Sequence, residues 1–307
     1  MSTKNQTLVS VEGHTVILSN IDKVFWPQQG YTKADILQYY TAIWPFIAPH
    51  LHNRLLSLVR YPHGIAGHYF YQKNFPDAPL WVERIPLRAE NRVTVYCMAN
   101  NLATLLWSIN LGCIEVHPWL SRFPNLENPT YMIIDLDPME PSSFSDAVEV
   151  ALALKILLDQ VNLRSFPKIS GATGLHIYIP IEPIYSFKQT SQLVESLGNI
   201  VIRTMPDKAT NQRAIKDRGG RVYIDHLQNL RGKTIAAVYS LRPFSEAPVS
   251  MPVRWEELRD VNPGSFTIKN ALDRIKKEGD LFAPLLNLNQ SLDQALKLLG
   301  VTDGRLH

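Results

Sequence analysis

The segment from Tyr131 to Pro138 constrains the fold of this chain most strongly, because it reads as a buried strand that ends in two acids, Tyr-Met-Ile-Ile-Asp-Leu-Asp-Pro. Successive side chains of a strand point to opposite faces, so Asp135 and Asp137 share one face while Leu136 enters the opposite layer. Two carboxylates held so close repel each other and lose hydration unless protons or metal ions compensate them. The pattern favours a divalent metal and metal-assisted phosphate chemistry. The alternative is a turn in which Asp and Pro only stop the strand.

The composition is that of an ordinary folded protein, with 45% hydrophobic and 19% charged residues among 307. This length allows one large domain or two closely packed ones. No stretch approaches the roughly 18 apolar residues of a membrane span, and the polar start has no signal-peptide core, so a cytoplasmic protein is expected. Cys97 and Cys113 form no Cys-x-x-Cys motif, which argues against a disulfide framework and a thiolate zinc site.

Positive charge is concentrated between Arg203 and Arg242, where nine Lys or Arg stand against three acids, a net charge of +6, although the whole chain carries only +3. A polyanion can bind such a segment. A solvated basic surface without a ligand is the alternative. The segment also contains a second apolar strand that ends in an acid, Val222-Tyr-Ile-Asp225, and this position favours a binding role.

Strands and helices are mixed without strict alternation, which predicts an α+β protein. Thr32 is a predicted helix N-cap, and Asp35 three residues later completes a variant of the capping box. The predicted strands cover residues 7–11, 15–18, 55–61, 68–72, 93–96, 131–137, a strand ending near 170, 175–179, 221–225 and 234–240. The predicted helices cover residues 33–44, 101–110, 145–160, 187–203, 267–277 and 291–299. The helix at 145–160 is predicted to bury Val148, Leu152, Ile156 and Leu157.

Two further polar groups extend the acidic strand into a candidate site. Asp225 is a third acid, and three carboxylates are the ligand set that two divalent cations roughly 4 Å apart require. The loop Ser170-Gly-Ala-Thr-Gly-Leu-His176 offers backbone amides as a nest for phosphate oxygens, with hydroxyls from Ser170 and Thr173. His176 can reach a phosphate held there. A simple glycine turn and a structural histidine are the alternatives, and the role of His117 is open.

Together these segments resemble the polymerase domain of bacterial multifunctional DNA ligases of the ligase D type, a branch of the archaeo-eukaryotic primase superfamily that acts in end joining. The matching text is Asn110-Leu-Gly-Cys-Ile-Glu-Val-His-Pro-Trp119, Ile134-Asp-Leu-Asp-Pro138, Ser170-Gly-Ala-Thr-Gly-Leu-His176, Val222-Tyr-Ile-Asp-His-Leu-Gln-Asn229, Val238-Tyr-Ser-Leu-Arg242 and Asn20-Ile-Asp-Lys-Val-Phe-Trp-Pro27. The likeness spans about residues 18–281, and its motifs fall in family order.

The resemblance implies an α+β fold with a primase-like catalytic core, in which mixed and antiparallel sheets are flanked by helices, plus a small N-terminal module. Residues 1–307 would form a single primase-polymerase unit. About 1–110 would be the N-terminal module and the strands that contact nucleotide and DNA, about 111–260 the catalytic core with the metal site, and about 261–307 the C-terminal helices. The family domain is often fused to ligase and nuclease domains, which nothing here resembles, so a stand-alone enzyme or an excised domain is expected.

The resemblance also implies roles for individual residues. Asp135, Asp137 and Asp225 would hold two catalytic metal ions, usually Mn²⁺, with Mg²⁺ as the alternative. A nucleoside triphosphate would be bound by Ser170, Thr173, His176, Arg242, Phe70, Tyr71, Gln228 and His117. Arg242 offers a bidentate fork to phosphate. Phe70 and Tyr71 would stack near the base, unless they are alternate core and surface residues of a strand. Gln228 and Asn229 would lie near the templating site, and Lys23 and Lys33 would bind the 5′-phosphate beyond a DNA gap or break.

One residue departs from the family pattern. Family members usually carry Lys or Arg at the place of Thr173, so one charge-assisted phosphate contact is missing here. Either Lys168, just before the loop, compensates for the lost charge, or nucleotide affinity is lower.

The expected function is that of a metal-dependent DNA/RNA primase-polymerase, a nucleotidyltransferase that prefers ribonucleotides. It would extend 3′ ends at DNA gaps and double-strand breaks in non-homologous end joining, with templated and some untemplated addition, beside Ku and a DNA ligase. Three alternatives are open: a de novo primase of a mobile element, a catalytically silent DNA-end binding protein that uses its basic face, and a metal-dependent nuclease.

Overall fold

The computed structural model describes residues 6–89 and 92–301. Its strands are β1 (Gln6–Val11), β2 (His14–Ser19), β3 (Val24–Trp26), β4 (Tyr31–Thr32), β5 (Leu56–Arg60), β6 (Phe70–Gln72), β7 (Arg84–Ala89), β8 (Arg92–Cys97), β9 (Cys113–Pro118), β10 (Tyr131–Asp137), β11 (Phe166–Ile169), β12 (Leu175–Pro180), β13 (Ala209–Thr210), β14 (Val222–Asp225) and β15 (Met251–Pro252). Its α-helices are α1 (Lys33–Leu51), α2 (Leu102–Asn110), α3 (Phe144–Gln160), α4 (Phe187–Thr204), α5 (Ala271–Glu278) and α6 (Asp293–Leu298). The mixture confirms the α+β class. None of the helices in the described ranges is both long enough and apolar enough to cross a membrane.

The chain divides into two compact units, each assembled from three segments. The first unit comprises Met1–Trp119, Thr234–Ser250 and Phe266–Gly279, and it contains β1 to β9 with α1, α2 and α5. The second unit comprises Leu120–Lys233, Met251–Ser265 and Asp280–His307, and it contains β10 to β15 with α3, α4 and α6.

Helix α1 of the first unit begins as the sequence predicts and ends later. The Thr32 hydroxyl accepts a hydrogen bond from the Asp35 N–H (3.4 Å), and the Asp35 carboxylate accepts one from the Thr32 N–H (2.7 Å), which confirms the capping box. The helix continues beyond the predicted residue 44 to Leu51 although it contains Pro45 and Pro49. Its apolar face remains buried as far as Leu51, so tertiary packing outweighs the helix-breaking tendency of proline.

The second unit is built on one six-stranded sheet in the order β13-β14-β10-β12-β11-β15, with only the β13-β14 pair parallel. Strand β10 lies in the interior of this sheet, as its apolar sequence predicts. Leu136 of β10 and its partner Ile224 of β14 are buried on the face covered by α3 and α4. Helix α4 packs tightly there, because a Cβ added to Gly198 would lie 3.2 Å from the Ile224 Cγ2. The opposite face is therefore the one that carries Asp135 and Asp137.

Helix α3 buries a different face from the predicted one. Its buried residues are Ala147, Val148, Val150, Ala151, Leu154 and Leu158. Of the four predicted core positions only Val148 is buried, and Ile156 is exposed. The prediction weighted large apolar side chains, whereas the packed stripe includes Ala147 and Ala151, whose small size allows a helix to approach a sheet closely.

The predicted strand at 234–240 is wrong. Thr234 makes one isolated bridge to Trp119, and the following residues form irregular structure and a turn. Tyr239 lies in the left-handed region with a φ of 65°, which an extended strand cannot accommodate. Its carbonyl accepts a hydrogen bond from the Tyr39 hydroxyl (2.8 Å), and its N–H donates to the Ser250 carbonyl (2.7 Å). Six observed strands have no counterpart among the predicted strands: β3, β4, β7, β9, β13 and β15.

Asn229 acts as an extension of the central sheet. Its side chain is fully buried, and its amide oxygen accepts a hydrogen bond from the Ile133 N–H (2.8 Å) while its amide nitrogen donates to the Ile133 carbonyl (2.6 Å). Strand β14 pairs with β10 only from residue 135 onwards. Asn229 therefore supplies hydrogen-bond partners for the backbone N–H and carbonyl of Ile133, just before the paired residues. The amide nitrogen also donates to the His226 carbonyl (3.3 Å), so the Asn229 side chain joins β10 to the turn that follows β14 and has a structural role.

Replacing Asn229 with alanine should therefore destabilise the second unit. The change leaves a buried N–H and a buried carbonyl of Ile133 unsatisfied, which costs about 1–3 kcal/mol for each group. We expect Asn229→Ala to lower the free energy of unfolding in urea by about 2–4 kcal/mol. Asn125→Ala is the control, because Asn125 makes an exposed hydrogen bond to the Pro183 carbonyl (3.2 Å) and should cost less than about 0.5 kcal/mol. Equal effects of the two substitutions would contradict the assignment.

Candidate active site

The three predicted acids lie on one face of the sheet in the second unit. Asp135 stands directly opposite Asp225 of β14 on one side and opposite His176 of β12 on the other. Asp137, two residues further along the same face, stands opposite Tyr223. Side chains that are directly opposite have Cβ atoms about 4.5–5.5 Å apart. The register thus brings Asp135, Asp137 and Asp225 together, as the sequence predicts.

A lysine continues this arrangement. Four titratable side chains form one row across neighbouring strands, here called the charged row: Asp225, Asp135, His176 and Lys168. Lys168 is fully buried, and its ammonium lies 5.5 Å from the centroid of the Tyr178 ring. Its charge is therefore placed within the sheet face beside His176, and not in the solvent beside Thr173.

The acids contact hydrogen-bond donors from their own strands and from the neighbouring strand. The Asp225 Oδ1 accepts hydrogen bonds from the Tyr223 hydroxyl (3.1 Å) and from the Leu227 N–H (2.8 Å). The His176 Nε2 lies 3.4 Å from the Asp135 Oδ1. Burial, reinforced by the negative charge of Asp225, raises the pKa of the Tyr223 phenol well above its usual value. Tyr223 consequently remains protonated at physiological pH and acts as a donor to Asp225.

The donor set fits a hard divalent cation, although the side chains do not already enclose one. Within residues 6–89 and 92–301, no group of three or more His, Cys, Asp or Glu side chains is positioned to share a metal ion. The Asp225 carboxylate is turned towards Tyr223 and Leu227. The backbone nevertheless places three carboxylates on one face at the ends of two adjacent strands. Carboxylate oxygens are the ligands that Mg²⁺ and Mn²⁺ prefer, so the chemistry of this donor set fits such a cation.

The glycine loop is shaped by Ser170. The Ser170 Oγ accepts hydrogen bonds from the N–H groups of Ala172 (3.1 Å) and Gly174 (3.2 Å), and the Ser170 N–H donates to the Gly174 carbonyl (2.9 Å). Two of the amides predicted to form a phosphate nest therefore contact the serine side chain. Thr173 lies exposed at the tip of the loop. Ser170 thus determines the shape of the loop, and residue 173 faces the solvent.

Gly174 brings this loop against strand β10. A Cβ added to Gly174 would lie 2.0 Å from the Leu136 carbonyl oxygen, which is the carbonyl between the two aspartates of β10. Glycine is required here because no other residue permits such a close approach. The loop is therefore held beside Asp135 and Asp137.

One residue of the basic segment 203–242, Arg218, contacts the ring of Tyr223, which in turn binds Asp225. The Arg218 guanidinium lies 4.0 Å from the centroid of the Tyr223 ring, whose hydroxyl donates to Asp225. Arg213 and Lys216 of the same segment are exposed. Part of the predicted basic region thus adjoins the acids, and Arg218 is a residue that the sequence motifs missed. Gln228 lies half buried in the single 3₁₀ turn Leu227–Asn229.

In the first unit, Arg242 and His117 meet at a carboxylate that the motifs also missed. The Arg242 Nε lies 2.8 Å from the Glu115 Oε2, and the His117 Nε2 lies 3.1 Å from the same oxygen. The Tyr61 hydroxyl donates to the Glu115 Oε1 (3.1 Å). A detectable signal existed in the sequence, since Glu115 and His117 alternate with apolar residues in one strand just as Asp135 and Asp137 do.

Phe70 and Tyr71 are both exposed, 37% and 62% respectively. This observation argues against the alternative in which one is a core residue. The Arg60 guanidinium lies 5.1 Å from the Phe70 ring centroid, and the Tyr71 ring meets the His117 ring edge to face at 5.9 Å. Two exposed aromatic rings with polar support are suited to stacking on a nucleobase.

Lys23 and Lys33 both anchor the N-terminal part of the first unit. The Lys23 ammonium donates to the Pro62 carbonyl (2.5 Å), and the Lys33 ammonium donates to the carbonyls of Ser19 (2.7 Å) and Asn110 (2.9 Å). Burial, together with the positive charges of Lys23 and Arg60, lowers the pKa of Lys33 to about 8. A bound anion relieves the repulsion among the cations Lys23, Lys33 and Arg60. These three side chains are therefore compatible with phosphate binding, although Lys33 is only 5% exposed.

Comparison with known proteins matches this architecture to one family. The family model described as the LigD primase-polymerase domain covers residues 32–282. The polymerase domain of Mycobacterium tuberculosis Ligase D, solved in complex with DNA, superposes with a TM-score of 0.82 at 31% identity, over 89% of this chain and 98% of that one. The chain belongs to the LigD primase-polymerase domain family. That assignment confirms the resemblance inferred from the motifs and the α+β primase-polymerase fold.

Two LigD proteins of known sequence show what share of a relative's length this chain matches. The bifunctional non-homologous end joining protein LigD of Bacillus subtilis is 34% identical over 264 residues, 85% of this chain and 42% of the relative. The multifunctional LigD of Mycolicibacterium smegmatis is 33% identical over 273 residues, 88% of this chain and 36% of the relative. The chain thus spans about two fifths of the length of these relatives.

The contact between the glycine loop and β10 in this LigD-type domain can be tested by adding one methyl group. Gly174→Ala places a carbon 2.0 Å from the Leu136 carbonyl oxygen, so the loop must move away from β10. We expect a loss of about 1–3 kcal/mol in the free energy of unfolding, the usual cost of overpacking, measured by urea denaturation. Thr173→Ala in the same loop is the control, because an exposed side chain should contribute less than about 0.5 kcal/mol. An unchanged midpoint for Gly174→Ala would show that the loop is not held against β10.

Proposed function

We propose that this chain is a metal-dependent nucleotidyltransferase that adds nucleotides, preferentially ribonucleotides, to 3′ ends at DNA gaps and double-strand breaks in non-homologous end joining. The observation that carries the proposal is the placement of Asp135, Asp137 and Asp225 on one sheet face in a chain of the LigD primase-polymerase family. The names of its relatives, non-homologous end joining proteins, and the DNA-bound state of the solved polymerase domain support the substrate and the pathway.

Asp135, Asp137 and Asp225 would hold two Mn²⁺ or Mg²⁺ ions. When bound, such ions lower the pKa of a hydroxyl nucleophile and neutralise charge on a phosphoryl group. His176 lies in the charged row beside Asp135, where an imidazole can donate a hydrogen bond to a phosphate oxygen. Tyr223 and the Leu227 N–H hold Asp225, and Ser170 keeps the loop compact. These residues form the proposed metal site of the second unit.

Within the first unit, we assign Arg242, Phe70, Tyr71 and His117 to nucleotide binding. Arg242 carries a planar fork that matches phosphate oxygens in a bidentate manner. The exposed rings of Phe70 and Tyr71 would stack on a base, which contributes about 1–3 kcal/mol per base without reading sequence. Gln228, a residue of the second unit, is also assigned to nucleotide binding. Stacking and phosphate contacts do not distinguish one base from another, in agreement with an enzyme that repairs arbitrary ends.

Lys23, Lys33 and Arg60 would bind the 5′-phosphate on the far side of a gap. Mutual repulsion among three cations is relieved when a dianion enters. Ku and a DNA ligase are the proposed partners, since end joining requires a protein that holds the ends and an enzyme that seals the nick that nucleotide addition leaves. The 5′-phosphate left beside the filled gap is the group that such a ligase consumes.

The central experiment removes one carboxylate charge. Asp137→Asn keeps the side-chain shape but removes a metal ligand. Loss of even an outer partner of a metal ligand costs about 10–100-fold, so we expect nucleotide addition to a gapped duplex with Mn²⁺ and ATP to fall by more than about 100-fold. DNA affinity, measured by fluorescence anisotropy, should remain within about twofold, because no phosphate contact is lost.

Asp159→Asn is the matched control, since Asp159 is an exposed acid of α3 that pairs with Lys155 (2.5 Å), and its activity should be unchanged. Retention of activity in Asp137→Asn would overturn the metal assignment. The same assay without a primer distinguishes a de novo primase, because strong synthesis from template and nucleotides alone would contradict 3′-end extension. Release of label from DNA in the absence of nucleotides would indicate a nuclease.

The pKa of Lys33 provides a pH test of the 5′-phosphate site. A pKa lowered to about 8 means that the ammonium is largely charged at pH 7 and largely neutral at pH 9. The second pKa of a phosphate monoester is about 6, so the terminal 5′-phosphate of the DNA is largely dianionic from pH 7 to pH 9. We expect the preference for a 5′-phosphorylated gap over an unphosphorylated one to decline from pH 7 to pH 9. In Lys33→Met the preference should be small at both pH values; a wild-type-like decline in that variant would remove Lys33 from the site.

A further inference from the structure

Glu115 is a buried carboxylate in the middle of an apolar strand of the first unit. It is 5% exposed, and it stands opposite Val59 of β5, while His117 stands opposite Ser57. Because the two residues are separated by one position in β9, their side chains point to the same face. On the other side of β5, Val59 pairs with Tyr71. The strand order therefore places Glu115 near His117 and one strand away from an exposed aromatic ring.

Each oxygen of this carboxylate has its own donors. Oε2 lies 2.8 Å from the Arg242 Nε in an ion pair and 3.1 Å from the His117 Nε2 in a hydrogen bond, while Oε1 accepts a hydrogen bond from the Tyr61 hydroxyl (3.1 Å). Burial alone would raise the pKa of Glu115, but the hydrogen bond from His117, the charge of Arg242 and the hydrogen bond from Tyr61 together hold this pKa below its usual value. The side chain is consequently an anion across the physiological range.

The contact with Arg242 is made through the edge of the guanidinium. The Arg242 Nε lies 2.8 Å from the Glu115 Oε2, so the carboxylate forms an ion pair with a planar guanidinium, the group whose fork suits bidentate phosphate binding. The backbone of Arg242 is fixed as well, because its N–H donates to the Pro248 carbonyl (2.8 Å). The same segment holds Tyr239, Glu246 and Ala247 at positive φ, 65°, 65° and 49°, and non-glycine residues keep such angles only where their surroundings enforce them.

The contact with His117 selects one tautomer. A carboxylate only accepts hydrogen bonds, so the Nε2 of His117 must carry the proton that faces Glu115. In the neutral ring Nδ1 is then the unprotonated nitrogen. One anion thus sets the orientation of a guanidinium and the proton position of an imidazole, two groups that the proposed function assigns to nucleotide binding.

We propose that Glu115 is a positioning residue for the nucleotide: it orients Arg242 and His117 before the triphosphate arrives. The proposal rests on the proposed function, since it concerns how this chain recognises its nucleoside triphosphate. It makes a distinct claim, however, because binding depends on an acid that itself would repel the ligand. An acid beside a polyphosphate site lowers affinity unless its benefit in orienting donors exceeds that repulsion.

The test compares Glu115→Gln with wild type in nucleotide addition to a gapped duplex. Glutamine keeps the size and its single oxygen can still accept hydrogen bonds, but the substitution removes the negative charge that pairs with Arg242. We expect the KM for ATP to rise about tenfold while kcat changes by less than about threefold, the pattern for a lost binding interaction. In ¹⁵N spectra the His117 ring should lose its single tautomer. A purely structural role would lower stability without moving either readout.

Tyr61→Phe is the matched control, because it removes only the hydrogen bond to Oε1 and leaves both contacts to Oε2. Its KM should stay within about twofold of wild type. If Glu115→Gln does not fold, Glu115→Asp decides the question, since aspartate keeps the negative charge but withdraws the carboxylate by one methylene from Arg242 and His117 and should also raise the KM. An unchanged KM in the folded variant overturns the positioning role.

Calorimetric titration of ATP in Mn²⁺ buffer, without DNA, separates the two claims. A wild-type chain that binds ATP but transfers no nucleotide would contradict the proposed function alone, and the ratio of dissociation constants between wild type and Glu115→Gln would still decide the role of Glu115. A ratio near one overturns it. A wild-type chain that neither binds ATP nor transfers nucleotide overturns both.

Discussion

The hydrogen-bonded register of β10 against β12 and β14 decides where the charged side chains of the second unit lie. Asp135 has His176 on one side and Asp225 on the other, and this holds only for one alignment of the strands. A slip of one residue would turn Asp135 and Asp137 towards α3 and α4, where an unpaired buried carboxylate is strongly unfavourable. The position of the acids and the packing of the core are therefore specified by the same pairing.

Two contacts outside the strand ladder reinforce that register. Asn229 binds both backbone groups of Ile133, and Gly174 lies against the carbonyl of Leu136. They act on either side of Asp135, so β10 is held just before and just after its first acid. A site that must present several carboxylates at fixed spacing benefits from a rigid element, and these contacts supply that rigidity in a strand whose pairing with β14 covers only three residues.

Local patterns in the sequence predicted what a short segment determines by itself. The alternation of Asp135, Leu136 and Asp137 gave their faces, and Thr32 with Asp35 gave the start of α1. The failures share a different cause, because each depends on residues far away in the chain. The sheet beneath α3 selects which face of that helix is buried. The strand predicted at 234–240 does not form because the Tyr239 backbone, at positive φ, is hydrogen-bonded to Tyr39 and Ser250. The alternation of Glu115 and His117 indicated only that they share one face of a strand. The role of Glu115 was missed because Tyr61 and Arg242 come from distant parts of the chain, and no spacing rule connects them to it.

The glycine loop shows that shape and charge can be separated at a phosphate site. Ser170 and Gly174 determine how the loop folds and where it lies, whereas the side chain of residue 173 is exposed at its tip. A neutral threonine in place of a basic residue therefore leaves the framework of the loop intact and changes only its electrostatic attraction for an anion. Lys168 does not restore that attraction at the tip, because it is buried in the charged row beside His176. Its positive charge instead offsets the acids of the same row, so the substitution at 173 and the charge at 168 act on different parts of the site.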